Sequence, residues 1–270
     1  MGKFDGYVLC TDIDGTLLDS FHKISDENRE AIAYFRSLGG KFTFASGRTR
    51  PSVEKIACEI EHDLPVIVSN GCAICDFRNN GEYLWEIELK DNAERLARKI
   101  IEEIPGSLCG IVNEVGTYFH GSNRTSVEYA QIENLPYFTG NFETVKKPWL
   151  KMLFCQDEET TTKLWEKYGN CEYSKELKIV RSGKEYFEFF DIAGNKGTAL
   201  KQLSKMCGFS LDKTIAIGDN GNDTEMIAAV KYGAAVSNAE ECAKKNAVII
   251  TTDNNHSAVA DLVYKLDNML

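Results

Sequence analysis

Tyr7-Val8-Leu9-Cys10-Thr11-Asp12-Ile13-Asp14-Gly15-Thr16-Leu17-Leu18 is the stretch on which the reading of this chain turns. Its first residues form a short apolar run rich in strand formers, which predicts a buried β-strand. Two carboxylates then follow two positions apart. Residues so spaced leave a strand on the same side, so Asp12 and Asp14 are expected to reach one point beyond its carboxyl end, and Gly15 permits the sharp turn that follows. In open parallel sheets ligands bind at that end. Two carboxylates held close repel unless a cation or a shared proton relieves them, which makes a hard, oxygen-seeking Mg²⁺ the natural third party. An acidic surface turn is the bland reading of such a pair in isolation, and the rest of the chain decides between the two.

Outward from this stretch, the first ninety residues alternate strands with amphipathic helices. A helix is predicted from Ser25, its cap, to Gly39, then a strand over 41–46, a helix opened by Pro51 and a strand over 65–70. Strand and helix in alternation imply a parallel sheet with helices on its faces. The rhythm returns after residue 192, with helices over 194–208, 222–233 and 256–270 and strands over 214–219, 234–237 and 247–252. Between them, strands outnumber helices and meet at tight turns, which predicts an antiparallel α+β insert. The expected organisation is an α/β, Rossmann-like core over 1–82 and 191–270, with an α+β cap domain over 83–190 that sets substrate specificity. The cap aromatics Tyr118, Phe119, Tyr137 and Trp149 read first as core packing and second as surfaces for stacking on a substrate.

Three further segments support the ligand-binding reading of Asp12 and Asp14. Ser46-Gly47-Arg48 closes a strand just before a helix and offers a hydroxyl and open backbone to phosphate oxygens. Gly194-Asn195-Lys196-Gly197 opens another helix and supplies a cation. Asp219-Asn220-Gly221-Asn222-Asp223 puts a second acidic cluster at a strand's carboxyl end. Each has a bland reading as a cap or a solvated charge, but all stand at a strand end or a helix start.

These segments, together with the SNG and EFFDIAGNKG stretches, resemble the motifs of the haloacid dehalogenase (HAD) superfamily of phosphatases, and in detail the Cof-type subfamily with a C2-type cap. The resemblance implies Asp12 as the nucleophile and Asp14 as general acid, then base. Ser46 would hold a phosphoryl oxygen, and Lys196 would neutralise the phosphate and orient Asp12. Mg²⁺ would be held by Asp12, Asp14, Asp219 and Asp223. Gly15, Gly47, Arg48, Asn70, Glu188 and Asn222 match positions near substrate or phosphate. Asp191 departs from the pattern, standing where relatives often carry proline. A carboxylate is a weak nucleophile that needs a metal and a lysine to shield it from an anionic substrate, so the implied roles make chemical sense.

Composition narrows the partners. The 270 residues are 43% hydrophobic and 27% charged, with five prolines and a net charge of −10, as expected of a folded globule with little electrostatic attraction for nucleic acid or anionic lipid. The N-terminal apolar run meets acidic residues too soon for a signal peptide or membrane span, so a cytoplasmic monomer acting on a small phosphorylated metabolite is expected. The nine cysteines read as reduced, buried thiols, including Cys72 and Cys75, whose spacing alone suggests redox or zinc chemistry. Four readings of the function remain at this point: a phosphomonoesterase acting on a sugar phosphate or similar compound, a phosphosugar mutase of the same fold, a signalling phospho-acceptor, and a non-catalytic binding protein. A dehalogenase is disfavoured by Asp14, since halide displacement needs no proton donor there.

Overall fold

The computed structural model describes residues 2–270. Contacts divide the chain into two units, one of Met1–Gly47, Ile56–Leu84 and Asn195–Leu270, the other of Arg48–Lys55 and Trp85–Gly194.

The first unit is built on a parallel sheet of five strands in the order Ile249–Ile250, Tyr232–Ala235, Thr214–Gly218, Val8–Thr11, Lys41–Phe44. Val8, Leu9, Cys10 and Thr11 are at most 1% exposed, so this central strand is covered on both faces, which is why its sequence is continuously apolar rather than alternating. Its two neighbours lie on opposite sides and are reached by connections that run in opposite directions. The strand order therefore reverses at Val8–Thr11, and the crevice beyond its carboxyl end is a topological switch point. The helix Asp26–Ser37 starts at Ser25, whose hydroxyl accepts from the Asn28 N–H, as its sequence signals. Buried Asn28 donates to the Leu17 carbonyl and accepts from the Ala260 N–H, tying the first turn to the terminal helix Ala258–Met269.

Two expectations change in this unit. The strand carrying Asp12 stops at Thr11: the Asp12 N–H makes its last ladder bond to the Ile217 carbonyl at 2.9 Å. The chain then enters a wide turn over Ile13–Leu17, with Gly15 at φ 71°. Asp14 is therefore aimed by a turn and not by the strand pleat. The strand Val66–Val68 meets the parallel sheet only through the bridge from Ala45 to Ile67; it pairs antiparallel with Ala73–Asp76, in a separate sheet completed by Glu82–Glu86.

The second unit is a six-stranded sheet in the order Leu177–Arg181, Tyr186–Asp191, Lys151–Cys155, Cys109–Val112, Thr117–Phe119, Phe138–Thr139, antiparallel except for the last pair. On one face Met152, Phe154, Phe187 and Phe189 pack against Leu96 and Ile100 of the helix Asp91–Glu103 and Leu164 of the helix Glu158–Tyr168. On the other, Leu153 and Cys155 meet Phe119 and Tyr129, the latter on the helix Arg124–Ile132. Trp149 and Phe119 are core residues, while Tyr118 stacks on Phe138 and Tyr137 on Phe119. Asp191 accepts from the Ala193 N–H and closes the turn out of the last strand, a bond that proline could not make.

All nine cysteines are free thiols. The expectation of uniform burial fails at Cys58 and Cys242, which are exposed, and at Cys171 and Cys207, which are partly so.

Candidate active site

Lys196 opens the helix Lys196–Cys207, whose cap Asn195 accepts from the Thr198 N–H. Its side chain is fully buried, and its ammonium donates to Asp12 Oδ1 and Asp223 Oδ1, both at 2.6 Å. The second oxygen of Asp223 accepts from the N–H groups of Asp219 and Asn220 at 3.0 and 3.1 Å. Asp223 is thereby bound on both sides by protein donors and fastens both Lys196 and the loop that carries Asp219. Gly218 admits this arrangement: a Cβ there would lie 2.5 Å from the Asp223 Cβ.

Carboxylate oxygens of Asp12, Asp219 and Asp223 lie within 4.8 Å of one another. Burial, then Asp223, push the Asp12 carboxyl well above the usual carboxylate range, against the pull of Lys196. The same causes push Asp219 up to about 6. Burial works to lower the Lys196 ammonium, but Asp12 and Asp223 outweigh it and hold it protonated. Three carboxylates thus share one lysine. The excess negative charge, presented through hard oxygen donors, suits a divalent cation such as Mg²⁺.

Around this cluster the first unit gathers most of the residues that the sequence singles out. Asp14 is half-buried, and Gly15 presses on Asp219, where a Cβ would come 2.9 Å from the carboxyl carbon. Ser46 is buried at the end of the neighbouring strand, its N–H donating to the Ile67 carbonyl. Asn70 lies against Gly47, and its Oδ1 accepts from Asn222 Nδ2 at 2.9 Å.

Arg48 and Glu188 belong to the second unit. Arg48 donates to the Ser52 hydroxyl at 3.1 Å. Glu188, 5% exposed, pairs with Lys151 at 2.8 Å and accepts from the Ser182 hydroxyl at 2.7 Å, so it is neither solvent-facing nor without partners. Lys151 escaped the sequence reading, although a single cation inside the buried run Trp149-Leu150-Lys151-Met152-Leu153-Phe154 signals a partner. Ser69, part of the turn that carries Asn70, was also missed.

A strand-end aspartate held by a buried lysine, with further carboxylates and a serine-glycine loop beyond the carboxyl ends of the same sheet, marks a site for a charged ligand. The chain belongs to the haloacid dehalogenase-like hydrolase family, whose pattern matches residues 9–263, and it is an enzyme of the phosphatase kind. It is 27% identical over 259 residues to the 5-amino-6-(5-phospho-D-ribitylamino)uracil phosphatase YcsE of Bacillus subtilis, covering 95% of this chain and 94% of that one. Its fold is shared with a haloacid dehalogenase-like hydrolase from Bacteroides thetaiotaomicron (TM-score 0.82, 23% identity, 96% and 99% of the two chains). It is shared equally with the HAD subclass IIB sugar phosphatase BT4131 (TM-score 0.80, 20% identity, 97% and 99%). At these identities the structural likeness is one of fold.

Proposed function

We propose that the protein is a Mg²⁺-dependent phosphomonoesterase that hydrolyses a small phosphorylated metabolite through an aspartyl-phosphate on Asp12. The observation that carries this reading is Lys196 clamped between Asp12 and Asp223, with the Asp219 carboxylate in reach of both. Asp12 Oδ attacks phosphorus as the bond to the leaving oxygen breaks, and Asp14 gives that oxygen a proton. Asp14 then takes a proton from water, whose oxygen attacks phosphorus. The bond to Asp12 breaks, inorganic phosphate leaves, and both carboxyls return to their starting states. Lys196 lowers the repulsion between Asp12 and the incoming phosphate, while Ser46, Asn222 and backbone N–H groups at Gly15 and Gly47 hold its oxygens. Asp12, Asp219 and the Asp14 carbonyl would hold Mg²⁺, which would supply positive charge to the transferring group. Asp223 supports this set through Lys196 and the Asp219 loop.

The second unit would set substrate specificity, with Arg48 as the candidate for contact with the substrate. The named activity of YcsE, on a phosphorylated ribityl compound, supports a sugar phosphate or similar substrate. The protein would act as a cytoplasmic monomer; no helix among the described residues is long and apolar enough to cross a membrane. Release of phosphate from p-nitrophenyl phosphate and a panel of phosphorylated metabolites, with Mg²⁺ and after chelation, tests the proposal. Metal-dependent release is expected. Transfer of phosphate between hydroxyls of a sugar bisphosphate without release would replace it with the mutase reading.

A further inference from the structure

The turn between the strands Val66–Val68 and Ala73–Asp76 is unlike an ordinary hairpin connection. Ser69, Asn70 and Gly71 all have positive φ, at 52°, 58° and 89°, and all are buried. Non-glycine residues rarely adopt this conformation, and hairpin turns usually lie on the surface. Closing the hairpin does not account for both features.

What the turn touches does. The Asn70 N–H donates to the Ser46 carbonyl at 3.0 Å. Its side-chain oxygen accepts from Asn222 and lies where a Cβ on Gly47 would be only 2.7 Å away. Gly71 lies against the start of the next segment, so that a Cβ there would fall 2.6 Å from the Lys196 nitrogen and inside the Asn195 carbonyl. One three-residue turn thus abuts the serine-glycine loop, the lysine-bearing helix start and the loop after Asp219.

We infer that Ser69-Asn70-Gly71 is a positioning strut that fixes these three segments relative to one another, and that Asn70 acts on phosphate through Asn222 and Gly47. The inference rests on the phosphatase reading above. The left-handed backbone presents the Asn70 amide and the bare Gly71 Cα to their neighbours at once, which a right-handed turn would separate. Asn70 is a positioning residue, and Gly71 sets how close the Lys196 backbone can come.

The test combines p-nitrophenyl phosphate kinetics in Mg²⁺, calorimetric binding of inorganic phosphate, and thermal unfolding. Asn70→Gly keeps the left-handed backbone and deletes the amide; it is expected to weaken phosphate binding and raise KM about tenfold with Tm nearly unchanged. Gly71→Ala, which must displace the Lys196 backbone, is expected to lower kcat about a hundredfold. Asn222→Ala, which also removes a phosphate contact, should cost at least as much as Asn70→Gly, and the double variant should lose clearly less than the sum of the two singles, because both break the Asn70–Asn222 bond. Additive losses in the double variant, or an Asn70→Gly protein with a lowered Tm and unchanged KM and phosphate affinity, would overturn the strut. If the wild type binds phosphate without hydrolysing the ester, the phosphatase reading fails alone and the binding cycle still decides the strut. A wild type that does neither overturns both.

Discussion

Each unit of this protein buries one lysine, and the two are balanced differently. In the second unit Lys151 is 2% exposed and meets one carboxylate, Glu188, whose other contact is the Ser182 hydroxyl. In this pair one base stands against one acid. In the first unit Lys196 meets Asp12 and Asp223 directly, with Asp219 beside them, so one cation faces three acids. Desolvating charge is costly whether or not it is paired, so a buried pair is defensible as architecture, whereas a buried excess of one sign marks a place where something charged is meant to arrive.

The contrast yields tests of decreasing size. Lys196→Met should reduce kcat by about 10²–10³ and destabilise the metal-free protein by about 3–5 kcal/mol, with Mg²⁺ restoring part of the Tm. An equal penalty with and without Mg²⁺ would remove the claim of excess charge. Glu188→Leu strands Lys151 and should also cost about 3–5 kcal/mol in denaturant unfolding, yet the double variant Lys151→Met, Glu188→Leu should recover most of it. If the double variant stays as unstable as the single, the pair is not self-contained.

Smaller effects lie at the edges of the two clusters. Gly15→Ala would force a Cβ against Asp219 at a residue held at φ 71°, and should raise the Mg²⁺ concentration for half-maximal activity by about 10–100-fold and lower Tm by a few degrees. Smallest is an ordinary surface pair. Asp63 accepts from Arg36 at 2.9 and 3.0 Å and from the Phe42 N–H. Burial works to raise its carboxyl, and these donors outweigh it, so the folded value lies below the ordinary one. Its stabilising contribution is therefore complete above the unfolded value, near 3.9, and fades as pH falls through the folded value. Arg36→Met should cost about 1–2 kcal/mol at pH 7 and almost nothing in acid below that range, by urea unfolding at both pH values.

What the sequence made legible follows from how local each signal is. The run Val8–Thr11, the cap Ser25 and the insert strands declare themselves within a few residues, because burial and capping act at short range. Asp12, Ser46, Lys196 and Asp219 were found for the same reason, each standing where a strand ends or a helix starts. The pairing of Lys151 with Glu188 depends on two strands becoming neighbours, which no local pattern encodes. The left-handed turn at Ser69–Gly71 was hidden because Ser-Asn-Gly suits any turn, and what distinguishes it is the set of loops it touches. Glu188, read from a strand that would serve equally well facing solvent, proved buried because Lys151 stands on the adjacent strand.

The central claim is that Asp12 carries the phosphoryl group. The direct measurement is rapid acid quench of the wild type with p-nitrophenyl phosphate and Mg²⁺, followed by mass spectrometry of the peptide containing Asp12. The account predicts a phosphoryl group on Asp12 in the wild type, and neither that group nor phosphate release in Asp12→Asn; release by Asp12→Asn at the wild-type rate would contradict it.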